Sequence, residues 1–157
     1  VELEPYKAKI IETPGHTAGH IIYWFEGEKV VFTGDTLFVL GCGRLFEGTP
    51  EIMWGSLLKI RSLPKETKIY CGHEYTKNNA DFALTVEKNN NKLIKRFDEI
   101  NKLINENSFT VPTTVEKEIE TNPFLRADND NIKKNISMNS ASTEEIFGEI
   151  RKRKDNF

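Results

Sequence analysis

The 157-residue chain reads as an α/β fold whose second half is all helical, and three observations carry that reading. Four short segments rich in β-branched and aromatic residues fall before residue 75. Capped segments with helical periodicity dominate after it. Three of the strand-like segments also end alike, in "TPGH", "FTGD" and "YCGH", each setting a glycine just before a side chain able to bind metal.

Residues 8–13 (AKIIET), 20–26 (HIIYWFE), 29–34 (KVVFTG) and 67–72 (TKIYCG) are the strands. Pro14 and Gly15 break any helix through "TPGHTAGH", so His16 and His20 lie in a sharp loop between strands. "EGE" at 26–28 joins the second strand to the third as a tight hairpin. Thr49 caps a helix whose first position suits Pro50. Ile52, Met53, Leu57, Leu58 and Ile60 supply its apolar stripe, and Pro64 closes it. A helix follows from Thr76 to about Glu87, and a stronger one from Asn90 to Glu106, where Leu93, Phe97, Ile100 and Ile104 recur at helical spacing with Ile94 and Leu103 beside them. A short helix follows Thr114. The last begins at a Ser-x-x-Glu capping box, Ser142 and Glu145. Asn, Ser and Asp cluster at 128–143, which reads as a loop. The chain thus divides into an α/β part, residues 1–75, and a helical part, residues 76–157.

Composition narrows the function. A net charge of −2 gives no polyelectrolyte signature, so nucleic acid is not an expected partner. No run approaches the ~18–20 apolar residues of a membrane span. Cys42 and Cys71 lie outside any Cys-x-x-Cys spacing and read as reduced thiols of an intracellular protein. Neither has a paired base in the sequence, so both read as small packing residues rather than nucleophiles. No signal peptide is visible, and the opening Val1, inside a strand-like run, reads as a cut or processed end.

Topology turns the three endings into a site. The first strand runs up to His16, the second returns, and the third runs up to Asp35. A helical crossover makes the third and fourth strands parallel, so the fourth also runs up, to His73. All three side chains therefore reach the carboxyl edge of the sheet, where open α/β sheets bind ligands. Neutral imidazole and carboxylate are the common non-sulfur ligands of zinc and related ions, and the preceding glycine lets the backbone turn off the strand. Singly, each is an ordinary loop histidine or Asp turn; converging, they make a metal site. His20 starts the returning strand near the same edge and reads as a structural histidine supporting the ligands. Three isolated ligands are too few for a hydrolytic centre with an open position.

"TPGHTAGH", "VVFTGDTLFVLGCGRLFEGT", "IYCGHEYT", "NPFLR" and the terminal "RKRKDNF" resemble, in order, the metallo-β-lactamase superfamily and within it glyoxalase II, the hydroxyacylglutathione hydrolases. The resemblance covers essentially the whole chain. It implies the second half of an αββα sandwich over residues 1–75 and a helical glutathione-binding domain over 76–157. The implied reaction is hydrolysis of S-D-lactoylglutathione to D-lactate and glutathione at a centre of two divalent ions, zinc first, with iron or manganese as alternatives. His16 resembles the histidine ligand of one metal, Asp35 the bridging aspartate and His73 the ligand of the other. Arg44, Tyr75, Arg151 and Lys154 match positions that hold glutathione, and Phe46 stands where many relatives carry tyrosine, removing one hydrogen bond worth about 0.5–1.5 kcal/mol. The family's upstream His-x-His-x-Asp-His motif has no counterpart in these residues, so the chain by itself is expected to be inactive. A monomeric protein of the cytoplasm, or of the mitochondrion, is implied when complete. The alternatives are a persulfide dioxygenase-like enzyme with one iron, disfavoured by the long helical tail, and a non-catalytic glutathione-binding module.

Overall fold

The computed structural model describes the backbone of residues 2–157 and the side chains from Glu4 onward. A small ladder of β1 (Glu2–Leu3) with β2 (Tyr6–Lys7) comes first. The main sheet has the order β3-β4-β5-β8-β9. Its first three strands, β3 (Lys9–Glu12), β4 (Ile21–Phe25) and β5 (Val30–Gly34), are antiparallel in turn. A hairpin of β6 (Leu37–Phe38) and β7 (Gly41–Cys42) then leads to helix α1 (Pro50–Arg61), which crosses over to β8 (Lys68–Cys71), parallel to β5. The three strands expected to point one way, β3, β5 and β8, do so.

The helical half holds α2 (Thr76–Val86), α3 (Asn91–Asn105), α4 (Val115–Thr121), α5 (Asp130–Asn135) and α6 (Thr143–Asp155), with a 3₁₀ turn at Pro123–Leu125. Thr49, Asn90, Thr114 and Ser142 each cap a helix through a side-chain oxygen, and Ser142 with Glu145 forms the full capping box.

Three local expectations are corrected. On α1 the core-facing side is Met53, Trp54, Leu57 and Ile60, while Ile52 and Leu58 are 44% and 40% exposed, since they fall off the stripe that the Thr49 start selects. Residues 128–143 are not all loop, because Asn129 caps α5, whose Ile132 and following Ile136 are buried. A polar composition hid a helix with so few apolar anchors. Finally, β9 (Thr113–Thr114), from the helical half, pairs with β8 as the fifth strand.

One face of the sheet, with Ile22, Val31 and Ile69, packs under helices. The largest core cluster joins these residues to Met53, Leu57 and Ile60 of α1, to Phe124, and to Phe147 and Ile150 of α6. The change of pattern near residue 75 is therefore a change of element type, with continuous packing across it. On the other face a row runs across four strands, Ile10 opposite Tyr23, Tyr23 opposite Phe32, and Phe32 opposite Tyr70. Phe32 is 46% exposed with its ring stacked on Tyr70, so this second face is apolar and open to solvent.

Candidate active site

The sheet brings His16, Asp35 and His73 to one edge. Asp35 follows β5 because Gly34, at φ +51, turns the strand end in a conformation that favours glycine. A Cβ on Gly34 would lie 2.9 Å from the His20 ring. His16 Nε2 lies 3.8 Å from Asp35 Oδ2, and His73 Nε2 lies 3.4 Å from Asp35 Oδ1. Each histidine thus faces a different oxygen of one carboxylate.

The protonation of these rings follows from their partners. His16 Nδ1 is 2.9 Å from the Arg44 carbonyl, which only accepts, so Nδ1 carries the hydrogen and Nε2 is the ring nitrogen that faces Asp35 and is left to ligate. That second hydrogen bond is how metal-binding histidines are oriented. Asp35 Oδ1 is buried with no hydrogen-bond partner. A buried carboxylate oxygen with no hydrogen-bond donor is a costly arrangement that a cation relieves. The two separations are close to the roughly 3.3–3.5 Å between ligand atoms that tetrahedral bonds of ~2.0–2.1 Å produce. The donor set therefore fits divalent metal. Among the described residues, no group of three or more His, Cys, Asp or Glu side chains closes on a single point.

His20, read as structural, acts on the site through Asp35. Its Nε2 accepts the Asp35 backbone N–H at 3.2 Å, so its Nδ1 carries the hydrogen, within reach of Thr36 Oγ1 at 3.0 Å and Thr13 Oγ1 at 3.4 Å. Burial, and then the neighbouring His16, push its pKa below the usual imidazole value, against the pull of Asp35. A neutral ring suits this role, because only then does Nε2 accept.

A cleft of about 620 Å³ opens from these ligands, lined by Phe38, Arg44, Phe46, Tyr75, Arg151 and Lys154 among others. Phe46 is 67% exposed, 5.0 Å from the His16 ring. The Tyr75 ring stacks on His73 at 4.9 Å. Arg44 is exposed and loosely paired with Asp155 at 3.6 Å. All five residues expected to touch substrate line this one cleft.

The basic run at 151–154 is divided by the helix. Arg151 is 5% exposed; its guanidinium donates to the Cys42 carbonyl at 2.8 Å, pairs with Asp155 at 2.9 Å and lies over the Phe124 ring. Lys154 reaches the cleft between the Phe82 and Phe157 rings and donates to Asn78. Burial, then the nearby Arg151, pulls its pKa down to about 8. Lys152 and Arg153 are exposed, and Arg153 pairs with Glu149. The sequence put Arg151 and Lys154 on equal terms; in the structure both line the cleft, and Arg151 in addition bonds α6 to the Cys42 carbonyl. Arg151→Ala is expected to lower stability by about 1.5–3 kcal/mol, since it removes a charged hydrogen bond from a buried carbonyl. Lys152→Ala should stay within about 0.5 kcal/mol in the same denaturant-unfolding series.

Cys42 and Cys71 are free thiols whose pKa values are raised by burial, Cys42 to about 11. Neither is a nucleophile in this state.

A mixed sheet delivering histidine, aspartate and histidine from successive strand ends to the mouth of a cleft defines a metallo-β-lactamase-type domain, and residues 7–73 match the metallo-beta-lactamase superfamily. That superfamily implies divalent metal ions. Residues 74–157 match the family described as hydroxyacylglutathione hydrolase C-terminus, and the chain belongs to this family. The chain is 57% identical to the hydroxyacylglutathione hydrolase of Rhizobium etli over 97% of its own length and 59% of that protein's. It is 54% identical to the hydroxyacylglutathione hydrolase of Bartonella quintana over 94% of its own length and 58% of that protein's. It therefore spans somewhat under two thirds of these relatives. Among solved structures, ETHE1 from Myxococcus xanthus shares the fold, with TM-score 0.60 and 24% identity over 97% of this chain and 48% of that one. That likeness covers 97% of this chain and is one of fold.

Proposed function

We propose that the complete protein hydrolyses 2-hydroxyacylglutathione thioesters, S-D-lactoylglutathione in particular, and that this chain supplies half of the metal centre and the glutathione-binding wall. One observation supports this above the rest: the partnerless Asp35 carboxylate, faced by two imidazoles, opens onto a cleft lined by Lys154 and Arg44. His16 and Asp35 Oδ2 would hold one ion, His73 and Asp35 Oδ1 the other, with zinc the first choice. Divalent ions so held lower the pKa of water and polarise a carbonyl. Asp35 would serve both ions, while His20 holds the Asp35 backbone N–H and the Arg44 carbonyl orients the His16 ring toward Asp35. Lys154 and Arg44 would receive the carboxylates of the tripeptide, while Tyr75 and Phe46 flank its path. Water supplies the oxygen that bonds to the acyl carbon as the C–S bond breaks; the sulfur leaves as thiolate without a strong general acid, and the protons of the water pass to solvent and to the released thiolate. We assign the protein to the cytoplasm as a monomer, a setting in which the two free thiols stay reduced. The test is hydrolysis of S-D-lactoylglutathione by the complete protein together with its metal content. Turnover with two ions per chain supports the reading. One iron and no turnover would replace it with the mononuclear enzyme, and no metal with the binding module.

A further inference from the structure

The segment between Asp35 and Arg44 leaves the sheet as the β6–β7 hairpin and returns with the carbonyl that orients His16. Its tip is unusual. Leu40 sits at φ +57, a conformation rarely adopted by a branched apolar residue, and is fully buried. What holds it lies 78 residues further on. Glu118 of α4, 0% exposed, accepts the Leu40 N–H through Oε2 at 2.9 Å. The same oxygen accepts from Asn122 Nδ2, which also reaches the carbonyls of Phe38 and Gly41. Glu118 Oε1 is occupied by Arg96 and by the Thr113 hydroxyl. A carboxylate so surrounded cannot shift without leaving several buried donors unmet. The far end of the segment has as little freedom, since a Cβ on Gly43 would lie 2.1 Å from the Asp35 carbonyl oxygen and 3.0 Å from His16 Nδ1.

We infer that Glu118 and Asn122 are positioning residues for the metal site: by fixing the 37–42 hairpin from the helical half, they set the Arg44 carbonyl and through it the direction of the His16 lone pair. Neither touches substrate or metal. The inference rests on the metal-site reading above and concerns only how that site is kept in register. Glu118→Gln offers one acceptor oxygen where the carboxylate offers two, so either Leu40 loses its acceptor or Arg96 loses one of its three, keeping Thr113 and Thr121. Thr121→Val is the matched control: it removes another hydrogen bond of Arg96 in the same buried cluster but has no contact with the hairpin.

The experiment uses the complete protein, with zinc as the probe and a competing chelator, well below the unfolding temperature. Glu118→Gln is expected to bind zinc ten- to a hundred-fold more weakly than wild type, the range seen when partners of metal-binding histidines are lost. It should also shift the ¹⁵N and ¹H signals of the His16 ring recorded without metal. Thr121→Val should change zinc affinity less than twofold even where its melting temperature falls as far. Asn122→Ser, which leaves the Arg96–Glu118 pair intact, should reproduce the zinc effect and serves if Glu118→Gln does not fold. Unchanged zinc affinity and His16 signals in Glu118→Gln and Asn122→Ser would overturn the inference, as would equal weakening in Thr121→Val. A wild type that does not retain zinc, by contrast, would overturn the metal-site reading itself.

Discussion

Asp35→Asn in the complete protein is expected to lower kcat by roughly 10²–10³-fold or more, with a much smaller change in KM and with metal content falling to one ion or fewer. The amide is neutral, so it bridges two cations poorly. Its NH₂ also replaces one of the two oxygens that face the imidazoles, so one of the ions loses its carboxylate ligand. A second result follows from the same geometry. Without metal the wild type buries an oxygen of a charged carboxylate that has no hydrogen-bond partner, whereas the variant places a neutral amide there, which costs less to desolvate. The metal-free variant should therefore melt no lower than metal-free wild type, a stability–function trade located at one atom. Retention of both ions and a near-normal rate would reduce Asp35 to a turn residue.

Lys154→Met is expected to raise KM for a glutathione thioester about ten- to a hundred-fold and to leave kcat nearly unchanged. A charged hydrogen bond of about 1.5–3 kcal/mol remote from the reacting bond adds binding equally to ground and transition states. Methionine preserves the apolar stem between the Phe82 and Phe157 rings. The pH profile gives an independent reading. Burial leaves the free ammonium with a pKa of about 8. A bound carboxylate favours the charged form and raises that value, so binding takes up a proton above pH 8 and affinity falls as pH rises. KM should climb by up to about tenfold per pH unit beyond 8 in the wild type, and Lys154→Met should lack this arm. Lys152→Ala and Arg153→Ala should match wild type. Equal effects along the whole run would indicate a diffuse basic surface, and a flat wild-type profile would remove Lys154 from the binding site.

The strand ends were legible because their signal is local: glycine before a ligand-type side chain at the end of a β-branched run, and a crossover helix that sets direction. The caps at Thr49 and Ser142 were legible for the same reason. What escaped was non-local. Nothing near Glu118 indicates that it meets Leu40, and β6, β7 and β9, at two residues each, fall below any periodicity. One signal was present and passed over. Arg96 stands between Leu93 and Ile100 on the buried side of α3, and a charge on an apolar stripe asks for a buried partner, here Glu118. The division of the "RKRK" run could not be read from the residues either. Which basic side chain turns inward depends on where α6 docks, and that is decided by the tertiary packing of Phe147 and Ile150 against elements distant in the chain.

The packing of α6 on α1, Trp54 against Phe147 and Pro50 against Gly148, has a consequence for how the chain is made. The apolar stripe of α1 is synthesised early and stays uncovered until the partner helix appears about ninety residues later, which at ~5–20 residues per second is roughly 5–20 seconds. Throughout that interval Met53, Trp54 and Leu57 have no final partner on that side, and the nascent chain carries a sticky helix beside an unfinished sheet. Messages that end early, or ribosomes that stall before residue 143, would release just such a product. The thirteen residues of α6 thus decide whether the stripe of α1 is covered or left as a surface for chaperones and proteases.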